Sequence, residues 1–331
     1  MIVVTGATGH VGANLVRHLL AAGHRVRAVV HNETRALAGL DVEIVKGDVR
    51  DRASLDAAFT GADVVYHLAA CISIIGEQRG RVRAINVEGV RNAAEAARAQ
   101  GVRRFVHCSS IHAFALADLD GVVDEASPRS LAAHHPAYDR SKAEGERALQ
   151  ESIDRGLDAV VCHPTGIIGP NDFGPSRMGR FLLALSKREM PALVAGGFDW
   201  VDVRDVVEGL VRAGEQGDKG EHFIFGGGHC SMRDMAALWQ TISAVRAPRF
   251  VAPLALAGIG ALFTTAYGRI TLKEPLFTND ALAAMRFAGK VSAEHAKRRL
   301  GFSPRPLVAT LTDTHAWFRE HRLIDGAKVA A

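Results

Sequence analysis

The chain opens with Met1-Ile2-Val3-Val4-Thr5-Gly6-Ala7-Thr8-Gly9-His10-Val11-Gly12, and the reading of these residues decides the fold. Ile2-Val3-Val4 is apolar and β-branched, as a short buried strand requires. Glycines follow at 6, 9 and 12, and Val11, Leu15 and Leu19 then recur every four residues along one helical face. Strand, glycine turn and helix in that order make a dinucleotide-binding context. Gly6 permits the tight turn, Gly9 lets backbone approach a pyrophosphate, and Gly12 lets helix and strand pack closely. Thr5, Thr8, His10 and Val11 share this turn, and the unpaired amides at the helix's positive end suit an anion. The spacing is Gly-x-x-Gly-x-x-Gly, not the commoner Gly-x-Gly-x-x-Gly.

Working outward, 331 residues with 48% hydrophobic content are ample for a large core, and a disordered chain is excluded. The net charge is only +4 and the basic residues are scattered, which excludes a nucleic-acid footprint. Even the densest early cluster, Arg79, Arg81 and Arg83, reads as solvated surface. Cys71, Cys108, Cys162 and Cys230 lie far apart with no metal-type spacing, so reduced thiols and no metal are expected. The first strand begins at once, with no leader pattern ahead of it, and a cytoplasmic location is expected.

Strand signals recur at Arg25–Val30, Val42–Val45, Asp63–Leu68, Arg104–Cys108 and Ala159–Cys162. Helical patterns such as Asn86–Ala99 and Tyr138–Ile153 lie between them. This alternation predicts an α/β fold, a Rossmann-type doubly wound parallel sheet with a smaller, interleaved C-terminal substrate lobe. The expected division is a dinucleotide domain over 1–163 with sheet contributions from about 202–225. The lobe then takes 164–201 and 226–321, with 322–331 as a tail. Ligands in such sheets bind at the carboxyl ends of the strands.

Residues at those ends are therefore the candidate site. After the second strand, His31 and Arg35 stand where an acidic residue usually meets a free ribose hydroxyl, which favours NADP over NAD; Glu33 nearby leaves NAD open. Asp48 and Val49 follow the third strand, suitably placed for the adenine amino group and ring. Leu68, Ala69 and Ala70 end the fourth strand with residues small enough for close packing against a ribose and pyrophosphate.

Tyr138 and Lys142 are four apart, hence neighbours on one helical face. An ammonium beside a phenol lowers a pKa that starts near ~10, making tyrosine a usable proton carrier. Ser109 and Ser110, ending the fifth strand, offer a hydroxyl to hold a substrate oxygen near Tyr138.

Together Thr5-Gly6-Ala7-Thr8-Gly9-His10-Val11-Gly12, Asp48-Val49, Cys108-Ser109-Ser110 and Tyr138-x-x-x-Lys142 resemble the extended short-chain dehydrogenase/reductase family over essentially the whole chain. His163-Pro164-Thr165-Gly166-Ile167-Ile168-Gly169-Pro170 resembles that family's loop after the sixth strand, and Trp200–Val206 its Asp-Val-Arg-Asp-Val segment. Leu300–Pro306 is similar to the family's usual ending. The resemblance implies a triad of Ser110, Tyr138 and Lys142 acting with a nicotinamide, with Ser109 an offset of one away. It also implies cofactor contacts from His163, Pro164, Thr165, Gly166 and Ile167. Asn86 matches a position where the family often keeps asparagine, and reads equally as a helix N-cap.

Departures within that resemblance narrow the function. Ile111-His112 follows Ser110 where the family's dehydratases carry Asp-Glu, and the arginine, tyrosines and asparagine of its sugar-nucleotide epimerases are missing around residues 163–170. The stretch from Tyr138 to Pro170 is more similar to dihydroflavonol-reductase and 3β-hydroxysteroid-dehydrogenase relatives, which implies an oxidoreductase for an apolar ketone or alcohol, with NADP preferred on the strength of His31 and Arg35. An NDP-sugar epimerase with tightly bound NAD and a non-catalytic NAD(P)-sensing protein are the alternatives. Cys71, Ser73, His112 and Phe114 are the expected substrate contacts. Phe250–Leu262 is apolar but too short and broken to span a bilayer, so it reads as a buried helix, an apolar pocket wall or a membrane-touching lid for a lipophilic substrate. The alanine-rich faces of Asn86–Ala99 and Tyr138–Ile153 suit either a homodimer or the chain's own core.

Overall fold

A computed structural model describes residues 1–119, 121–254, 280, 282 and 290–324. The first half runs β1 (Ile2–Thr5), α1 (His10–Ala21), β2 (Val26–Val30), β3 (Glu43–Lys46), α2 (Arg52–Ala58) and β4 (Val64–His67). Next come α3 (Arg81–Arg83), a π-helical turn at Ala84–Glu88, α4 (Gly89–Ala99) and β5 (Arg104–Cys108). After β6 (Val122–Val123) follow α5 (Ala137–Asp154), β7 (Ala159–Pro164), β8 (Gly166–Ile168), α6 (Arg177–Ser186), β9 (Leu193–Val194), β10 (Gly197–Asp202) and α7 (Val203–Gln216). The remainder is β11 (His222–Phe225), β12 (His229–Ser231), α8 (Met232–Ser243), β13 (Val251–Ala252), β14 (Lys290–Val291), α9 (Glu294–Leu300) and α10 (Leu307–Glu320).

Seven strands form one parallel sheet in the order β11-β7-β5-β4-β1-β2-β3. The chain reverses its direction of winding on either side of β1, so the crevice between the β1 and β4 ends is the place where such sheets bind ligands. This is the Rossmann-type doubly wound sheet the alternation predicts. Val3 and Val4 are fully buried in β1, and α1 covers the sheet with Leu15, Val16 and Leu19. Gly6 takes φ +67, which glycine alone adopts at little cost, and a Cβ on Gly12 would lie 2.2 Å from the Gly6 carbonyl oxygen.

The helix expected to start at Asn86 begins earlier, at Arg81, and passes through the π turn. Asn86 is therefore interior, not an N-cap. On α4, Ala93, Ala94, Ala96 and Ala97 are fully buried within the chain, packed with Leu149 and Ile153 of α5. The small residues serve the chain's own core, because helices packed this closely leave no room for larger side chains.

A separate core gathers Phe181 and Leu182 of α6, Trp200 of β10, Met235 and Trp239 of α8, and Phe318 of α10. Residues 202–225 divide: β11 joins the large sheet beside β7, whereas β10, ending at Asp202, pairs with β8 and β12 in a three-stranded sheet. The Asp-Val-Arg-Asp-Val segment is a clamp. Asp202 caps α7 through the Arg204 amide (2.8 Å), Arg204 reaches Asp313 of α10 (2.7 Å), and Asp205 holds Arg305 (2.7 Å). Within the apolar stretch from Phe250, residues 251–252 pair with β9, and residues 255–262 lie outside the described residues, as does the tail beyond 324.

Candidate active site

A cavity of about 540 Å³ opens at the carboxyl edge of the large sheet. At one end lie Gly6, Gly9, His10, Val11 and Gly12, with Leu68 and Ala70 beside them. The middle holds Ser109, Ser110, Tyr138 and Lys142, and Pro164, Thr165, Gly166 and Ile167 close it from the next strand. Sequence positions up to 161 apart thus share one wall, because each follows a strand of the same parallel sheet.

The glycine end fits a pyrophosphate. Gly9 caps α1 in extended conformation with no side-chain cap and no acidic residue in the first turn. The helix's positive end therefore faces the cavity with its amides uncapped by any side chain.

At the centre, α5 starts at Pro136 and points Tyr138 and Lys142 into the cavity. The Tyr138 hydroxyl is hydrogen-bonded to the Ser110 side chain, which also accepts from the His112 amide at 3.2 Å. Ser109, in contrast, donates to the buried carboxylate of Glu146. Ser110 is thus the serine beside the phenol. Lys142 is buried, donates to the Cys108 carbonyl at 3.1 Å, and burial lowers its pKa. The phenol of Tyr138 is pushed up by burial, with the Ser110 hydrogen bond opposing. Burial against the Ser110 hydrogen bond sets the phenol's value, and the lowering expected from Lys142 is not produced by this protein alone.

His112 lines the cavity edge-on to Tyr138, ring centroids 5.7 Å apart, and its Nδ1 lies 3.2 Å from the Asp139 carboxylate. Burial pulls its pKa down, but the Asp139 charge and hydrogen bond outweigh it and leave it raised.

Several expected contacts lie outside the cavity, each for a packing reason. Thr5 is buried against His67 (2.9 Å), and the backbone of Ala69 packs beneath Gly6. Thr8 is half-buried behind the turn. Arg35 donates to the Phe173 carbonyl at 2.5 Å, while Val49 packs against Gly89. Asp48 is engaged by Arg50 (2.5 Å) and His31 (3.4 Å), and the Arg50 hydrogen bond brings its pKa down to about 2.

Asn86 braces the backbone beside the site. It donates to the Cys71 carbonyl (2.9 Å) and to Ser141 Oγ (2.9 Å) and accepts from the Cys71 amide (2.7 Å), while Ser141 donates to the Tyr138 carbonyl (2.7 Å). It thereby ties the loop after β4 to the catalytic-candidate helix.

His163 and Phe114 belong to a buried layer under the serines. His163 is fully buried, 3.3 Å from Glu146 and 2.9 Å from His222, and Phe114 packs on its ring at 4.9 Å. Of the expected substrate contacts, Ser73 and His112 line the cavity, and Cys71 and Phe114 do not. All four cysteines are thiols.

Sequence reasoning missed the far wall, where Phe181, Met190, Phe198 and Met232 meet. Only their apolar periodicity could have hinted at it, and that signal looks the same for an ordinary core helix.

With this geometry in view, the comparisons are decisive. The sequence model of the "NAD dependent epimerase/dehydratase family" matches residues 2–226. The chain belongs to that family. Among its relatives is sterol demethylase protein B of Methylococcus capsulatus, 36% identical over 325 residues, covering 97% of this chain and 99% of that protein. A Synechocystis sp. protein provisionally named dihydroflavonol 4-reductase is 32% identical over 328 residues, covering 96% and 94%. The crystal structure of gox2253 superposes with a TM-score of 0.84 at 32% identity over 98% of this chain and 99% of that one. Family membership makes the chain a nicotinamide-dependent enzyme of the dehydrogenase, reductase and epimerase kind. Among the described residues no helix is long and apolar enough to cross a membrane.

Proposed function

We propose that the protein is an NADP-preferring oxidoreductase that interconverts a bulky, apolar ketone and its alcohol in the cytoplasm. The observation that carries this reading is one cavity joining the glycine turn, the Ser110–Tyr138–Lys142 group and a largely apolar far wall. A nicotinamide supplies or takes the hydride. Tyr138 gives its proton to the substrate oxygen, or takes it in the reverse direction. Ser110 holds that oxygen by its hydroxyl, and the buried charge of Lys142 favours the phenolate that proton transfer leaves. Ile72, Ile74, Leu116 and Phe181 suit a lipophilic body, and relatives named for a sterol and a dihydroflavonol support bulk. For NADP the support is basic: His31 and Arg50 stand together at the ends of β2 and β3. Homodimerisation stays part of this proposal, through a surface other than the buried α4 alanines.

The test is turnover of a ketone panel with NADPH and NADH, run beside Tyr138→Phe. Oxidation of NADPH by bulky apolar ketones, abolished in the variant while cofactor still binds, is expected. Co-purified NAD with no ketone consumed would overturn the reading in favour of an epimerase.

A further inference from the structure

Among the described residues, two clusters outside the proposed chemistry place histidines and a carboxylate within 4.8 Å of one another. One is Glu146, His163 and His222, where the Arg129 guanidinium donates to Glu146 (2.8 Å) and sits 3.2 Å from His222. A fixed cation already fills that group and would repel a metal ion.

The other cluster is Asp118, His134 and His135. His134 Nε2 lies 3.1 Å from Asp118 Oδ1, and His135 Nε2 lies 3.2 Å from Asp118 Oδ2. The rings are 4.2 Å apart, both presenting Nε2 to one carboxylate. Zinc bonded to nitrogen and oxygen at ~2.0–2.1 Å in tetrahedral geometry sets its ligands about 3.3 Å apart. Both histidine-to-carboxylate separations match that edge. Two imidazoles and one carboxylate suit zinc-class ions, and the exposed side leaves a fourth position to water.

The cluster is also held in place. The His135 side chain is only 2% exposed, against 60% for His134 and 47% for Asp118. Arg140 donates to the carbonyls of Ala133 (2.9 Å) and His135 (2.8 Å), fixing the turn that carries both histidines, and its charge is paired with Glu77 (3.7 Å). Asp118 ends the 3₁₀ turn Leu116–Asp118, whose Leu116 lines the cavity, and His135 precedes Pro136, which also lines it.

We propose that Asp118, His134 and His135 form a divalent transition-metal site of zinc type. Binding there displaces the Nε2 protons and clamps the Leu116–Asp118 turn to the segment entering the helix of Tyr138. The metal would thereby set the shape of the cavity wall from outside it.

The experiment uses untagged, full-length protein stripped by chelation and titrated with Zn²⁺ against a chromophoric chelator, with thermal melts alongside. One zinc per chain, a melting temperature raised by zinc, and both effects weakened more than about tenfold in affinity by His134→Gln and by Asp118→Asn are expected. His134 is exposed, so its replacement leaves folding intact. No stoichiometric uptake, or uptake unchanged in these variants, would overturn the proposal. Uptake lost instead in His222→Gln would overturn it too and move the metal to the buried cluster.

Discussion

Gly145 of α5 lies so close to Asn86 that a Cβ at position 145 would stand 2.3 Å from the Asn86 carbonyl oxygen. Backbone cannot yield as a flexible side chain can, so Gly145→Ala must part the two helices. A loss of about 1–3 kcal/mol is expected. Because Asn86 also ties Cys71 to Ser141, turnover should fall with stability. A melting temperature equal to wild type would refute the close packing.

The glycine turn separates fold from binding. A Cβ on Gly12 meets Gly6 backbone at 2.2 Å, whereas one on Gly9 comes only to 3.4 Å of it. Gly12→Ala should therefore unfold more easily. Gly9→Ala should melt normally yet bind nicotinamide cofactor about tenfold more weakly, by calorimetry, because the methyl intrudes where backbone meets pyrophosphate. Unchanged cofactor affinity in Gly9→Ala would count against a pyrophosphate at this turn.

Burial holds the buried His67, His107 and His163 and the half-buried His222 neutral. His67 is pushed down to about 3 and His222 to about 4, while His107 and His163 lie well below the usual 6.5. Folded values below unfolded ones mean that their stability is complete above pH 6.5 and is lost as the pH falls through the folded values. The melting temperature should thus decline steadily from pH 6.5 towards 4. Neither ring nitrogen of His107 has a hydrogen-bond partner, so His107→Phe should be tolerated at pH 7 and should remove up to about 1.4 kcal/mol per pH unit of the decline. Identical acid limbs in variant and wild type would show that His107 protonates freely.

Cofactor choice should respond to Arg50, which sequence reading passed over in favour of Arg35. Arg35 is tied to the Phe173 carbonyl, whereas Arg50 and His31 both face Asp48. Arg50→Ala should raise the Kd for NADPH about tenfold, or about 1.4 kcal/mol, and leave NADH within about twofold. Equal losses for both cofactors would remove the 2′-phosphate from this corner.

At the cavity rim, Ile72 is 55% exposed, so a charge there spares the core. Ile72→Asp should cut kcat/KM for bulky apolar ketones about tenfold with cofactor affinity unchanged. An unaltered value would place the substrate elsewhere in the cavity.

The parallel sheet and its glycine turn were legible in the first twelve residues and the strand spacing that follows, because hydrophobic period and glycine placement are local properties. Tyr138 and Lys142 were legible for the same reason: four residues apart on a helix are neighbours whatever surrounds them. The surroundings of Asn86, His163, Phe114 and Arg35 were decided only by packing between elements far apart in the chain. Asn86 could equally have been a helix cap until the helix proved to begin at Arg81. His163 lies in β7 directly before the cavity-lining Pro164, yet a one-residue step in a strand turns a side chain to the opposite face, and it faces Glu146. The tyrosine's pKa was likewise a tertiary matter. Sequence supplies the neighbouring ammonium, but the burial that raises the phenol's pKa comes from the whole fold closing over the site.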